Sequence, residues 1–494
     1  MQIKTTDMIY IKPADRKQLS IFNSLEDSVA DNNIVRIIDL VVDKIVLSNP
    51  EKFKREIETE VGRPAYGSPT MLKLYLYGYL NGISSSRKLE KETARNIDVM
   101  WLLGNLRPDH WTISNYRKER ADEIKLVTRE FRRFLKQRGY IKGETVAIDG
   151  TKVKANANRD MLTIRKIENR LKNLKEKIDN YLEKMTKNDA IDDIEEEIGG
   201  EITGEKIDKE LLKKLIEAQK KIEKLEKEKE YLEKGKIKAV SPNDRDARLM
   251  KTRDGKLAAH NVQFVVDQEN KLIADSEVVS DENDLNQLAT MVESIEEEIG
   301  KRPEEVIADK GYYNTSIIEK VESTGETECY VDVKERKEEE IKFTYEKEKD
   351  EYKCSEGKRL VLKARGKKRE AGRTADEYQG IECDGCRMRD ICTKSKKGRI
   401  LHRYNNQEYV DKYKEKMKNE IAQEMIKRRK TIIEHTFGTI KCWMGKIPLL
   451  LSGREKVATE INIYATAYNI KRLTNMVELA RLTEEIKGYN WAIA

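Results

Sequence analysis

Apolar residues along this chain recur with two different periods, and the switches between them divide it into parts. Over Asn33–Val46 the residues Ile34, Val35, Ile37, Ile38, Val41, Val42, Ile45 and Val46 keep helical spacing and give one buried face. Gly and Pro in GRPAYGSP (62–69) break the chain, and Met71–Leu80 resumes as a helix rich in Leu and Tyr. NGISSSRKLEK (81–91) turns through Asn-Gly into a third helix with serine caps, and RPDHWTISNYRKER (107–120) opens another, capped by Thr112 or Ser114. At Val146-Ala147-Ile148 the pattern becomes a short buried strand that stops at the turn Asp149-Gly150. A heptad seam then runs Ile164, Ile167, Leu171, Leu174, Ile178, Tyr181, Met185 and is taken up again from Ile207 to Leu232. This predicts an antiparallel helical hairpin with an acidic, glycine-marked mobile tip at 188–205, closed on itself or paired with another subunit. Strand patterns return in His260–Asp267 and Leu272–Val279, joined by a DQEN turn. They are followed by a helix over Asp284–Ile299, a strand Val306–Asp309, a helix Thr315–Val321 and a strand Glu328–Val333. A late helix carries RRKTIIEHTFGTIK (428–441).

The order strand, insertion, strand, strand, helix, strand, helix, strand, helix is that of a ribonuclease-H-like mixed sheet, so the expected fold class is α/β. The expected parts are a helical N-terminal domain (1–140), a first piece of core (141–160), the hairpin insertion (161–240) and the continued core (241–333). A cysteine-rich insertion (334–403) and C-terminal helices (404–494) complete it. In that topology the first and fourth strands are neighbours, which brings Asp149 to Asp309.

Two apolar strands thus finish on an aspartate, and the late basic helix carries Glu434. Two strand-end acids and one helix acid can hold a pair of divalent cations, Mg²⁺ or Mn²⁺, against a phosphodiester, because these hard ions take oxygen ligands and complete their shells with phosphate. Singly each acid also has a plain structural reading: a turn at Asp149, a local cap at Asp309, a surface pair of Glu434 with Lys430. Asp244, Asp246 and Asp284 lie in loops of the same core and compete for metal. His260 is expected to pack or bond locally. Charge supports a polyanion partner by its distribution rather than its total, since 97 Lys+Arg against 90 Asp+Glu leave a net +7. Basic runs fall at 363–373 and 427–430. Ser85, Ser86, Arg87 and Lys88 at a helix start, with Arg117 and Lys118 on a later helix, suit a helix-turn-helix on a DNA backbone; a small helical bundle without ligand fits the same spacing. Cys354, Cys383, Cys386 and Cys392 crowd one region with a C-x2-C pair, which suits a tetrahedral structural zinc or a set of reduced thiols, while Cys329 and Cys442 read as buried thiols. No apolar run approaches the roughly 20 residues that span a bilayer, and no signal-peptide core opens the chain. The expected location is the cytoplasm, with no membrane partner.

With these motifs on the page the chain resembles the bacterial insertion-sequence transposases of the DDE class, particularly their IS-eleven-eighty-two group. GRPAYGSPTMLKLYLYGYLNGISSSRKLE (62–90) with PDHWTISNYRK (108–118) resembles their N-terminal helical domain, which is associated with element ends. AIDGTKVKANAN (147–158) resembles the first-aspartate motif, ADKGYY (308–313) the second, and RRKTIIEHTFGTIK the glutamate motif. The cysteine-rich insertion before the glutamate helix is also typical. The resemblance implies an enzyme that cuts DNA at an element's terminal inverted repeats and joins the freed 3′-hydroxyl to target DNA, acting as a homodimer on paired ends. It implies Asp149, Asp309 and Glu434 as catalytic and metal-holding residues and Lys441, Lys427, Arg428, Arg429 and Lys430 as phosphate contacts, with His435 a further candidate. Related families carry Tyr-x2-Arg-x3-Glu-x6-Lys; here Lys427 and Lys430 replace the first two, so no base-flipping tyrosine stands at that spacing. A DNA-binding derivative that no longer cuts, such as a repressor of its own element, and a nuclease that cuts without joining are the rival functions.

Overall fold

A computed structural model of the chain describes residues 24–53, 66–157, 161–198, 204–235, 237–252, 255–333, 341–368, 374–443 and 448–492, with the side chains of 184–198, 204–212 and 441–443 left aside. Six helices come first: α1 (Ile34–Ser48), α2 (Ser68–Leu80), α3 (Ser86–Arg95), α4 (Ile97–Leu102), α5 (His110–Glu119) and α6 (Ala121–Gln137). Asn33 caps α1 by accepting from the Val35 amide, and the α1 positions Val35, Ile37, Ile38, Val41, Val42 and Ile45 are buried as their spacing requires. Between α2 and α3, Gly82 takes a positive φ of 70°, which the turn needs and glycine allows at little cost. The cap of α5 is Asp109, accepting from the amides of Trp111 and Thr112, so the helix starts before the expected Thr112 or Ser114. Residues 62–65 of the Gly/Pro break lie outside the described residues.

Strand β1 (Thr145–Lys154) leads into the helical pair α7 (Ile164–Ile198) and α8 (Gly204–Gly235), then β2 (Arg248–Thr252), β3 (Gly255–Asp267), β4 (Ile273–Val279), α9 (Gln287–Ile299), β5 (Glu305–Ala308), α10 (Thr315–Glu322) and β6 (Glu328–Val331). The strand order is β2-β3-β1-β5-β6, with β4 also on β3. β1 and β3 run antiparallel, while β1, β5 and β6 are parallel. The expected neighbourhood of the strands bearing Asp149 and Asp309 is therefore observed. α7 and α8 close on each other: Ile167 and Leu232 are buried together at the base with Leu162 and Val240, and Lys229 pairs with Glu168 at 2.9 Å. The expected tip residues Gly199 and Gly200 lie outside the described residues.

The segment expected only as a cysteine-rich insertion contains a second sheet. β7 (Phe343–Glu346), β8 (Glu351–Cys354), β9 (Arg359–Lys368), β10 (Thr374–Gly380) and β11 (Ile400–Tyr404) form an antiparallel array in the order β11-β10-β9-β8-β7, with the short helix α11 (Arg389–Cys392) before β11. The chain ends with α12 (Gln407–Lys416), α13 (Glu420–Trp443), α14 (Arg454–Thr474) and α15 (Leu479–Lys487). α14 packs against β4, α2 and α6, so one continuous apolar cluster runs from the first helices through the main sheet to α14 and α15. The N-terminal helices thus share their core with the sheet.

Candidate active site

The pairing of β1 with β5 is in register through Ile148 opposite Ala308. Asp149 and Asp309 are the next residues on those two strands, so their backbones are about 5 Å apart, the spacing of adjacent strands. Asp149 is not in a turn, as its Asp-Gly sequence suggested. β1 continues through it, held by β3, with Asp149 opposite Phe264 and Gly150 opposite Gln263; only the parallel partner stops, and the sheet opens there on one side. α13 packs on β1, β5, β3 and β6, fixed in part by Phe437 edge-on to Phe264 at 5.6 Å.

Asp149 accepts from the Gly150 amide at 2.8 Å and from Arg429 Nη1 at 3.1 Å, with both side chains largely buried. Burial pushes its carboxyl up to about 6; the Arg429 charge opposes this and the negative charges of Asp309 and Asp284 add to it. Asp309 accepts from the Gly311 amide at 2.7 Å and so also caps the short turn Lys310–Tyr312. Asp284 belongs to this group as well. Its Oδ1 accepts from Asn261 Nδ2 and Gln263 Nε2, each at 2.7 Å. Tyr312, whose phenol burial and the three aspartates keep protonated, donates to Gln263 Oε1, which turns the Gln263 amide nitrogen toward Asp284. The other two loop acids are structural: Asp244 meets buried His260 Nε2 at 2.8 Å, and Asp246 accepts from the Arg454 amide at the start of α14.

Glu434 is exposed on α13, about 7.5 Å along the helix axis from Arg429. The structure brings Asp149 and Asp309 together, while the Glu434 side chain is exposed. Among the described residues no three His, Cys, Asp or Glu side chains are gathered as a ready metal site; Asp149 is engaged by Arg429 and Asp309 by its own turn. The donor chemistry nonetheless fits a hard cation, since half-buried carboxylates crowd one another with the Arg429 guanidinium against Asp149.

The expected DNA contacts divide. Arg87, Lys88, Lys118, Lys427 and Lys430 are exposed, and Ser85 and Ser86 are half-buried at the start of α3. Arg428 is exposed and pairs with Glu424. Arg429 turns inward to Asp149. Arg117 is a correction: it is 3% exposed, faces Glu460 at 3.4 Å and donates to Tyr79 and to the Ser84 carbonyl, because α5 packs that side against α14 and α2. His435 meets Arg472 at 3.2 Å, and burial with that neighbouring charge lowers its pKa. The Lys441, Cys442 and Trp443 side chains lie outside the described ones. Cys354, Cys383, Cys386 and Cys392 line one small cavity with Ile341, Phe343 and Leu360; Cys329 is a buried thiol, as expected.

Residues 23–119 match the family described as Transposase domain (DUF772), and residues 353–474, which include Glu434, match the Transposase DDE domain. The two matches support an insertion-sequence DDE transposase. The first match covers α1 to α5 and the second runs from the end of β8 to the end of α14, so the transposase assignment rests on both ends of the shared core. Transposases with this domain generally use divalent metal ions. No curated protein matches the chain. No helix among the described residues is long and apolar enough to cross a membrane.

Proposed function

We propose that this transposase binds the ends of its element as double-stranded DNA and cuts and joins strands at Asp149, Asp309 and Glu434, on a ribonuclease-H-like core. The observation that carries the reading is the parallel register that sets Asp149 beside Asp309, under a basic helix bearing Glu434. The strand order, with β5 and β6 parallel to β1 and β3 antiparallel to it, supports the core assignment. Two bound Mg²⁺ or Mn²⁺ ions would neutralise phosphate charge and activate the attacking oxygen. Asp149 and Asp309 would hold them from the sheet and Glu434 from the helix. Arg429 opposes the burial that raises the Asp149 carboxyl, and a cation bound at Asp149 would free its guanidinium for phosphate. Lys427, Arg428, Lys430 and Lys441 would draw the DNA backbone along α13, and Ser85, Ser86, Arg87, Lys88 and Lys118 would seat the element end. Cys354, Cys383, Cys386 and Cys392 are not gathered as a ready metal site but border one cavity, and they would be the residues to hold a structural zinc. A homodimer on paired ends follows from the family resemblance.

Joining is read apart from cutting by supplying pre-cut element ends with a target plasmid and Mg²⁺. The wild type should join them and Glu434→Gln should not. Cutting without joining would make the protein a nuclease, and end binding with neither reaction under Mg²⁺ or Mn²⁺ would reduce it to a DNA-binding protein.

A further inference from the structure

Two of the tryptophans have a clear structural place. Trp491 is buried and donates to the Ile486 carbonyl at 3.0 Å, and Trp101 donates to Glu26 Oε2 at 2.7 Å. Trp111 differs: it is 68% exposed, and its indole N–H has no hydrogen-bond partner among the described residues. It is the second residue of α5, and Ser114, Asn115 and Lys118 follow it at i+3, i+4 and i+7, on the same face of the helix. The opposite face, with Ile113, Tyr116 and Arg117, is buried. Lys118 is exposed and Ser114 and Asn115 are half-buried. Neither of those two polar side chains makes a hydrogen bond among the described residues.

A single exposed tryptophan is ordinary, and the charges on the two helices decide what it is for. Arg87, Lys88 and Lys91 on α3, Arg107 ahead of α5 and Lys118 near its end are all exposed, and none of the five forms an ion pair among the described residues. α3 packs on α5, and His110 Nδ1 meets Glu90 Oε2 at 3.0 Å between them, so the cations sit on one two-helix unit. A protein partner would suit the indole alone. Unpaired cations on both helices, with no acidic side chain in the stripe, suit a polyanion. From Trp111 to Lys118 the stripe spans about 10 Å along the axis, the rise of about three base pairs, and the major groove admits one helix.

We propose that α5 is the helix that reads base edges: Trp111 packs on a thymine methyl group and Asn115 bonds an adenine edge in the major groove, while Lys118, Arg107 and the α3 cations hold phosphate. The terminal repeat that this chain recognises then carries A·T pairs where α5 docks. The inference rests on the proposed end-binding role but can fail without it. The experiment is fluorescence anisotropy of the full chain, across salt concentrations, with a duplex of the element's terminal repeat and with a scrambled duplex of the same composition, for wild type, Trp111→Ala and Asn115→Ala. Each variant should lose about tenfold or more of the preference for the terminal repeat, with affinity for the scrambled duplex and the salt slope unchanged. Wild-type preference in both variants, or equal weakening on the two duplexes, would overturn the inference and leave end binding standing. A wild type with no preference for the terminal repeat would remove both. If either variant melts early, the wild type reads the contact by itself, because deoxyuridine in place of thymine removes only the methyl group and 7-deazaadenine in place of adenine only the N7 acceptor. At least one such replacement in the terminal repeat should weaken wild-type binding by about fivefold, and tolerance of every one would overturn the inference.

Discussion

Replacing Arg117 with methionine separates a core role from a DNA-contact role. Its side chain and that of Glu460 are 3% and 0% exposed and stand 3.4 Å apart. Glu460 also accepts from the Leu450 and Leu451 amides at 2.9 and 3.0 Å and from Tyr79 at 3.1 Å, so one ion pair ties α5, α2 and the turn before α14 together. Burial pushes the Glu460 carboxyl up, and Arg117 is the strongest influence holding it down. Arg117→Met strands that carboxylate in the core, and breaking a buried pair from one side costs about 3–5 kcal/mol. Adding Glu460→Gln removes the stranded charge and should recover about 1–3 kcal/mol of the loss. Urea denaturation followed by circular dichroism gives these values from the shift in midpoint at constant slope. Folded Arg117→Met should bind element ends with the wild-type salt dependence, whereas exposed Lys118→Ala should lower the slope by about one. Wild-type stability in Arg117→Met, or a reduced salt slope, would refute the core assignment.

Asp149 makes stability depend on pH: its carboxyl is raised from 3.8 to about 6 in the folded state, so the stabilisation tied to its proton is complete below pH 3.8 and is lost as pH rises through 6. In EDTA the wild type should lose roughly 1.4 kcal/mol more than Asp149→Asn between pH 5 and pH 8, and parallel urea curves would contradict this. Protein purified without chelator should carry about one zinc per chain by elemental analysis, less in Cys383→Ser; zinc-free wild type would leave the four cysteines as plain thiols. Arg87→Ala with Lys88→Ala should weaken binding to all duplexes alike and lower the salt slope by about two, an effect that a merely structural α3 would not show.

Much of the central sheet was legible because its strands are largely buried and read as apolar runs that end at the aspartates. Val146–Ile148 and Val306–Ala308 gave both the strands and their acids. The run could not show that β1 passes through Asp149-Gly150, because that depends on β3 holding it from the other side. Asp284 was visible only as one of three loop acids; what distinguishes it is the tertiary placement of Asn261, Gln263 and Tyr312. Arg117 looked like a surface cation because its helix is polar overall, and its burial is decided by Glu460, far along the chain on α14. The second sheet escaped notice because the cysteine spacing drew the reading to metal. Its longest strand, Arg359–Lys368, is mostly polar and half-exposed, so alternation there is weak.

The most direct test is single-turnover nicking of an element-end duplex in Mg²⁺ by wild type, Asp149→Asn and Asp309→Asn, each first shown to bind that duplex normally. Nicking by the wild type, with both variants slowed by at least about a thousandfold, is the predicted result, since in the proposed function each would remove a charged ligand at the reacting phosphate. Nicking that survives in either variant at the wild-type rate would contradict the claim that β1 and β5 together present the cutting site.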